Sequence, residues 1–194
     1  MITTKDKILS VVVDHIKVGM NLKELTLSQI ALEAEIGKST VYEYFSSKEN
    51  LIFETFKYLL THYACILTSD ISKMEFKAAF IEQIEKILVV MKDARLIMDA
   101  IMNSHYDAYP AMHPELKNMM KDIQTKMNER FESIIYLGVV EGVIEQKAPK
   151  PYLKNVIQAL ISGLMFQYVN QEIDITEESL YELIYRQLIH VLKQ

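Results

Sequence analysis

The stretch from Thr26 to Leu51, TLSQIALEAEIGKSTVYEYFSSKENL, constrains this chain more than any other. It reads as three short helical pieces separated by two tight breaks. Thr26 followed by Gln29 fits a capping box, in which the Thr side chain accepts a backbone N–H and the Gln reaches back. Ile30, Ala31 and Ala34 then place small apolar groups on one helix face. Glu35-Ile36-Gly37 breaks that helix, because glycine suits a cap or turn better than a helix interior. Lys38 to Phe45 predicts a second helix, with Val41 and Phe45 four apart on its buried side. Ser46 and Glu49 fit a second capping box, opening a third helix at Lys48. A short helix, a tight turn and a second helix rich in hydroxyl, Tyr and Lys groups make a helix-turn-helix. One helix braces the other, which lies in the major groove of DNA.

The rest of the chain is predicted to be helical too. Its 194 residues can bury a sizeable core, and 50% apolar content rules out a disordered chain. With 5 Gly and 4 Pro, and few β-branched runs bounded by turns, the best class is all-α. No apolar run approaches a membrane span, and the N-terminus does not read as a signal peptide. The lone cysteine, Cys65, allows no internal disulfide and points to a reducing cytoplasm. The net charge of -5 argues weakly against a nucleic-acid binder. Lys38 and Lys48 are interspersed with Glu33, Glu35, Glu43 and Glu49, which predicts modest non-specific DNA affinity and reliance on base contacts. The sequence has no Gly-rich phosphate loop, no Gly-x-Ser-x-Gly elbow and no His-Glu-x-x-His, so no enzyme is expected. Glu82 and Glu85 read as a solvated helix face. His105 and His113 match no compact metal spacing, so neither metal nor cofactor is expected.

Taken in order, Thr3 and Asp6 suit an N-terminal cap. Ile8, Leu9, Val12, Val13 and Ile16 then form one stripe ending near Gly19. This helix should complete a three-helix head with the helix-turn-helix, sealed by Leu22, Leu25 and Leu27. The helix opening at Lys48 runs on to about Thr68 and should link the head to the remainder. Two helices are expected next, from about Lys73 to Lys92 and from Ala94 to Ser104, followed by a loop through Pro110. Pro114 suits the first turn of a long helix with Leu116, Met120, Ile123, Met127, Phe131 and Ile134 inside and Gly142 as a left-handed cap. Two more helices follow, about Pro151 to Glu172 and Thr176 to Leu192. Their apolar stripes are wider than one core face, because Val156, Ile161, Met165, Tyr181 and Ile189 lie off the main line. Ala159 and Gly163, four apart, let a partner helix approach closely.

Ile36-Gly37-Lys38-Ser39-Thr40-Val41-Tyr42-Glu43-Tyr44-Phe45, followed by Lys48-Glu49-Asn50-Leu51, resembles the DNA-binding signature of TetR-family transcriptional regulators. Their recognition helix typically reads Gly-Thr-Leu-Tyr-x-Tyr-Phe, then x-x-Lys-x-x-Leu. Gly-Val-Val-Glu-Gly-Val-Ile from Gly138 is similar to the end of the family's seventh helix. Two positions depart from the pattern. Glu35 stands where the family usually has glycine, and Gly37 where it has Ser or Thr. A left-handed Glu35 would carry strain, which Gly37 could absorb.

The resemblance implies a helix-turn-helix DNA-binding domain over 1–47 and a ligand-binding and dimerisation body over 48–194. Its implied DNA-binding residues are Ser28, Lys38, Ser39, Thr40, Tyr42, Tyr44 and Lys48. It implies a homodimer through the last two helices, with Ala159, Leu160, Gly163, Leu164 and Leu188 in the interface. Leu160 and Leu164, or the neighbouring Ile161 and Met165, should be covered by the mate. Met is frequent in the second half and suits adaptable apolar surfaces, though it also simply fills cores. An effector pocket is expected around Met91, Met98, Met102, Met120, Met127 and Phe131, with His105, Tyr106, Tyr109 and Gln167 as polar anchors. The implied function is a repressor released from a palindromic operator by a small, largely apolar effector. The alternatives are a same-fold activator, a ligand-independent regulator, or a helical interaction protein without DNA binding.

Overall fold

The computed structural model describes residues 3–18, 20, 24–103, 113–145 and 152–193, with the side chains of 96–103 left aside. Among the described residues there are eight helices and no strand. They are α1 (Thr4–Lys17), α2 (Leu27–Glu33), α3 (Lys38–Tyr44), α4 (Lys48–Thr68), α5 (Phe76–Asn103), α6 (Pro114–Val140), α7 (Leu153–Val169) and α8 (Glu177–Lys193). The chain forms two compact units, one of Met1–Cys65 with Asp93–Ile123, the other of Ile66–Lys92 with Gln124–Gln194.

The first unit contains the head. Thr3 and Asp6 close a reciprocal capping box at the start of α1, and Thr26 Oγ1 accepts from Gln29 N–H at 3.2 Å at the start of α2. Ile8, Leu9, Val12, Val13, Ile16, Leu25, Ile30, Ala31, Val41 and Phe45 are all buried. Leu22 and Gly19 lie outside the described residues. The cap of α4 is Ser47, one residue later than expected. Its Oγ accepts from Asn50 N–H at 3.1 Å, while Ser46 instead donates its own N–H to the Asn50 side chain. Along α4, Leu51, Ile52, Thr55, Leu59 and Tyr63 are buried, while Phe56 and Leu60 are half-buried.

Two helices were expected between Lys73 and Ser104, and the structure has one. No Gly or Pro interrupts α5. Asp93, which falls between the two expected helices, engages its carboxylate in tertiary bonds. It accepts from Tyr63 Oη at 2.8 Å and pairs with Lys17 Nζ at 2.6 Å. Burial pushes the Asp93 carboxyl up, but the bonds from Lys17 and Tyr63 outweigh it and hold the group below its usual range.

The second unit is built on Phe76, Phe80, Ile84, Leu88, Ile134, Ile144, Ile161, Met165, Leu180, Ile184 and Leu188, all buried in one cluster. Glu141 Oε1 accepts from Phe76 N–H at 2.7 Å, satisfying an orphan donor in the first turn of α5. The connection before α5 is pinned by Glu82, which accepts from both Ser72 N–H and Ser72 Oγ–H and pairs with Lys86 at 3.1 Å. Burial works against ionisation there, yet these bonds draw the Glu82 carboxyl down to about 2.

Gly142 takes the left-handed conformation expected of it, at φ 72°, and ends α6. Gly138 is needed for a different reason, since a Cβ there would sit 2.6 Å from Ile144 Cδ1 and 3.0 Å from Phe76 Cγ. Gly138→Ala should therefore destabilise the protein. Overpacking costs about 1–3 kcal/mol, and better helix propensity returns at most about 1 kcal/mol. A denaturant midpoint equal to or above that of the unaltered protein would show that this contact yields freely.

Candidate nucleic-acid interface

The interface is set by which side of α3 the head buries. Val41 and Phe45 are fully buried, so the residues between them in helical phase must point outward. Tyr42 is 52% exposed and Tyr44 45%, unusual for such large rings. Lys38, Ser39 and Glu43 are exposed and Thr40 half-buried. Ser28, on α2, is exposed as well. The seven expected DNA-binding residues thus lie within one short part of the chain, none of them buried. Glu43, read from the sequence only as a dilution of positive charge, shares their outward surface. Its position two residues from both Val41 and Phe45 was the available signal.

The turn that sets α3 against α2 carries the expected strain. Glu35 has φ 56°, and its N–H and that of Ile36 close onto Leu32 O and Ala31 O at 3.1 and 2.9 Å. A left-handed non-glycine residue costs roughly 1–2 kcal/mol. Gly37 does not absorb it, since its φ is -69°. Gly37 serves as the N-cap of α3 instead, in extended backbone. The turn is held by the hydrogen bonds on either side and by Ala31, Ala34 and Val41, which are buried.

Two polar contacts brace the head, a hydrogen bond between His15 Nε2 and Glu33 Oε2 at 2.6 Å joining α1 and α2, and an ion pair of Lys5 Nζ with Glu54 Oε2 at 2.6 Å joining α1 and α4. Lys48 stands at the first position of α4, half-buried, and burial pulls its ammonium below the usual lysine value against the pull of Glu49. A cation at a helix N-terminus opposes the helix dipole, so its placement suits an external anion better than the helix itself. Lys48→Gln should weaken binding to all duplexes about equally and lower the slope of log affinity against log salt by roughly one. A loss confined to one DNA sequence would instead make Lys48 a base reader.

The expected effector residues divide. Met91 and Phe131 pack on the core of the second unit, and Phe131 meets Phe80 edge-on at 6.2 Å. Met127 is half-buried in that unit. Met120 belongs to the first unit and is 43% exposed, so it does not continue the inner face of α6 as expected. Gln167 is exposed on α7. His105, Tyr106 and Tyr109 lie outside the described residues, as do the side chains of Met98 and Met102. An open groove of about 700 Å³ in the second unit is lined by Ile71, Arg130, Ser133, Tyr136 and Leu137 among others, none of them an expected pocket residue.

The expected dimer residues divide as well. On α7, Ala159 and Gly163 are exposed, with Leu160 and Leu164 half-buried. Val156 at 49% and Phe166 at 58% extend the exposed apolar face. Leu188 is corrected: it is fully buried in its own chain's core, where no mate can reach it. The same burial removes Ile161 and Met165 as residues for a mate to cover. α7 and α8 pack on each other, and that packing consumes one face of each.

An all-helical chain with a short helix-turn-helix whose second helix shows its polar face has the architecture of a DNA-binding transcription regulator. Residues 21–55 match the family described as bacterial regulatory proteins, tetR family. The whole chain is similar in fold to solved TetR-family structures. A putative TetR-family transcriptional regulator from Vibrio parahaemolyticus aligns at TM-score 0.60 and 18% identity over 98% of each chain. A TetR transcription regulator from Haloarcula marismortui aligns at 0.64 and 15% identity, over 98% of this chain and 96% of that one. The MbdR regulator from Azoarcus sp. CIB aligns at 0.61 and 17% identity, over 98% and 99%. No curated protein matches the sequence. Residues 21–55 thus carry the family's DNA-binding segment, and the rest of the chain shares the fold of these regulators. No helix among the described residues is long and apolar enough to cross a membrane.

Proposed function

We propose that the protein is a repressor that binds a palindromic operator as a homodimer and is released by a small, largely apolar effector. The observation that carries the DNA part is the outward face of α3. Lys38, Ser39, Tyr42 and Glu43 are exposed there, opposite the fully buried Val41 and Phe45. The apolar face of α7 supports the dimer, since Val156, Ala159, Gly163 and Phe166 are left in solvent by a single chain. A two-fold axis would pair that face with itself. Two heads so related need half-sites about one helical turn apart, roughly 34–36 Å. Release follows if the effector binds best to a dimer whose head separation fits DNA poorly.

Selection of bound duplexes from a random DNA pool tests the reading. A palindrome with half-sites at that spacing supports both DNA binding and two-fold symmetry. Enrichment of a single asymmetric site would sink the symmetric operator. Effectors are then sought by thermal shift among apolar and aromatic compounds, and a true effector must also release the selected duplex.

A further inference from the structure

The recognition helix carries a carboxylate where DNA should be, and that limits which DNA can be bound. An α-helix with its side chains is about 10–12 Å across, so α3, seven residues long, fits a major groove about 12 Å wide. At 3.6 residues per turn, Ser39 and Glu43 lie about 160° to either side of the fully buried Val41. They form the centre of the outward face, with Tyr42 and Thr40 on its flanks. Glu43 is exposed and makes no ion pair or hydrogen bond among the described residues. A helix that enters the groove on this face takes the Glu43 carboxylate in with it.

Inside the groove that carboxylate is desolvated and needs a donor. The phosphates supply none and repel it. Guanine presents two acceptors, N7 and O6, and thymine presents O4. Adenine offers N6–H but sets the N7 acceptor beside it. Cytosine alone presents only a donor, its N4 amino group, to the major groove. We infer that Glu43 is the specificity-determining residue of this head and requires a cytosine in each half-site, whose N4 amino group donates to its carboxylate. The inference rests on the DNA-binding reading above and adds the base that is read. It also assigns the acidic residue a role in excluding other sequences, because a wrong base leaves a buried charge facing an acceptor.

The test repeats the duplex selection with the unaltered protein, with Glu43→Gln and with Glu43→Ala. Glu43 is exposed and has no hydrogen bond or ion pair among the described residues, so both variants should fold as the unaltered protein does. The unaltered protein should enrich cytosine at one position of each half-site. Exchange of that cytosine for thymine, which sets O4 against the carboxylate, should weaken binding by roughly tenfold or more per half-site. Glu43→Gln should move the preference at that position alone toward adenine, which Gln can meet at N6 and N7. Glu43→Ala should relax it. The inference is overturned if all three proteins enrich the same bases and the variants merely bind every duplex more tightly, the mark of a charge that repels phosphate and reads nothing. If the unaltered protein enriches no duplex, DNA binding itself fails and this inference with it.

Discussion

Gly163→Leu is expected to leave the single chain folded while weakening dimerisation and operator binding together. A Cβ at Gly163 would meet nothing within 4 Å in its own chain, and the position is exposed. Leucine also favours the interior of α7 over glycine by up to about 1 kcal/mol. The unassociated chain should therefore be at least as stable as before. The mate is what the side chain would strike. Overpacking costs about 1–3 kcal/mol at one site, and a two-fold interface meets the substitution twice. The summed penalty, about 2–6 kcal/mol, weakens association by roughly thirtyfold to 10⁴-fold. Operator affinity should fall in parallel, since one head alone covers half a site. Sedimentation across a concentration series, with thermal unfolding on the same samples, separates the two effects. A variant that stays dimeric at the concentrations of the unaltered protein would move the interface away from α7.

Tyr42→Ala is expected to remove operator binding with almost no loss of stability. The ring is half exposed, and nothing among the described residues bonds its hydroxyl. Exposed substitutions of this kind usually change stability by within about 0.5 kcal/mol. Loss of a phosphate or base contact costs about 1–3 kcal/mol in each half-site, so about 2–6 kcal/mol for a symmetric operator. Tyr42→Phe keeps the ring and divides that loss between hydroxyl and stacking surface. Phe45→Ala, three residues on, should behave in the opposite way, because Phe45 is fully buried and supports the head. Equal operator affinity for Tyr42→Ala and the unaltered protein would place the DNA on another surface.

Several features were legible because they are settled within a few residues. Thr3, Thr26 and Thr176 cap their helices where the residue types predict it, since a cap bond spans three positions. Val41 and Phe45 are buried because a four-residue spacing places both on one side of any helix. Gly142 ends α6 because it alone there takes a positive φ without strain. The choice of Ser47 over Ser46 as a cap was beyond such reading, because both satisfy the same local pattern.

Other features were decided by partners far away in sequence. Asp93 falls between two expected helices, yet Lys17 and Tyr63, 76 and 30 positions earlier, take up its carboxylate and α5 runs through. Leu188 and Gly163 both lay on faces that the sequence marked as apolar or small. A periodic stripe states that a face is buried and leaves open by what. Only the packed second unit shows Leu188 enclosed by its own chain and Gly163 left in solvent, because burial depends on neighbours that periodicity does not contain.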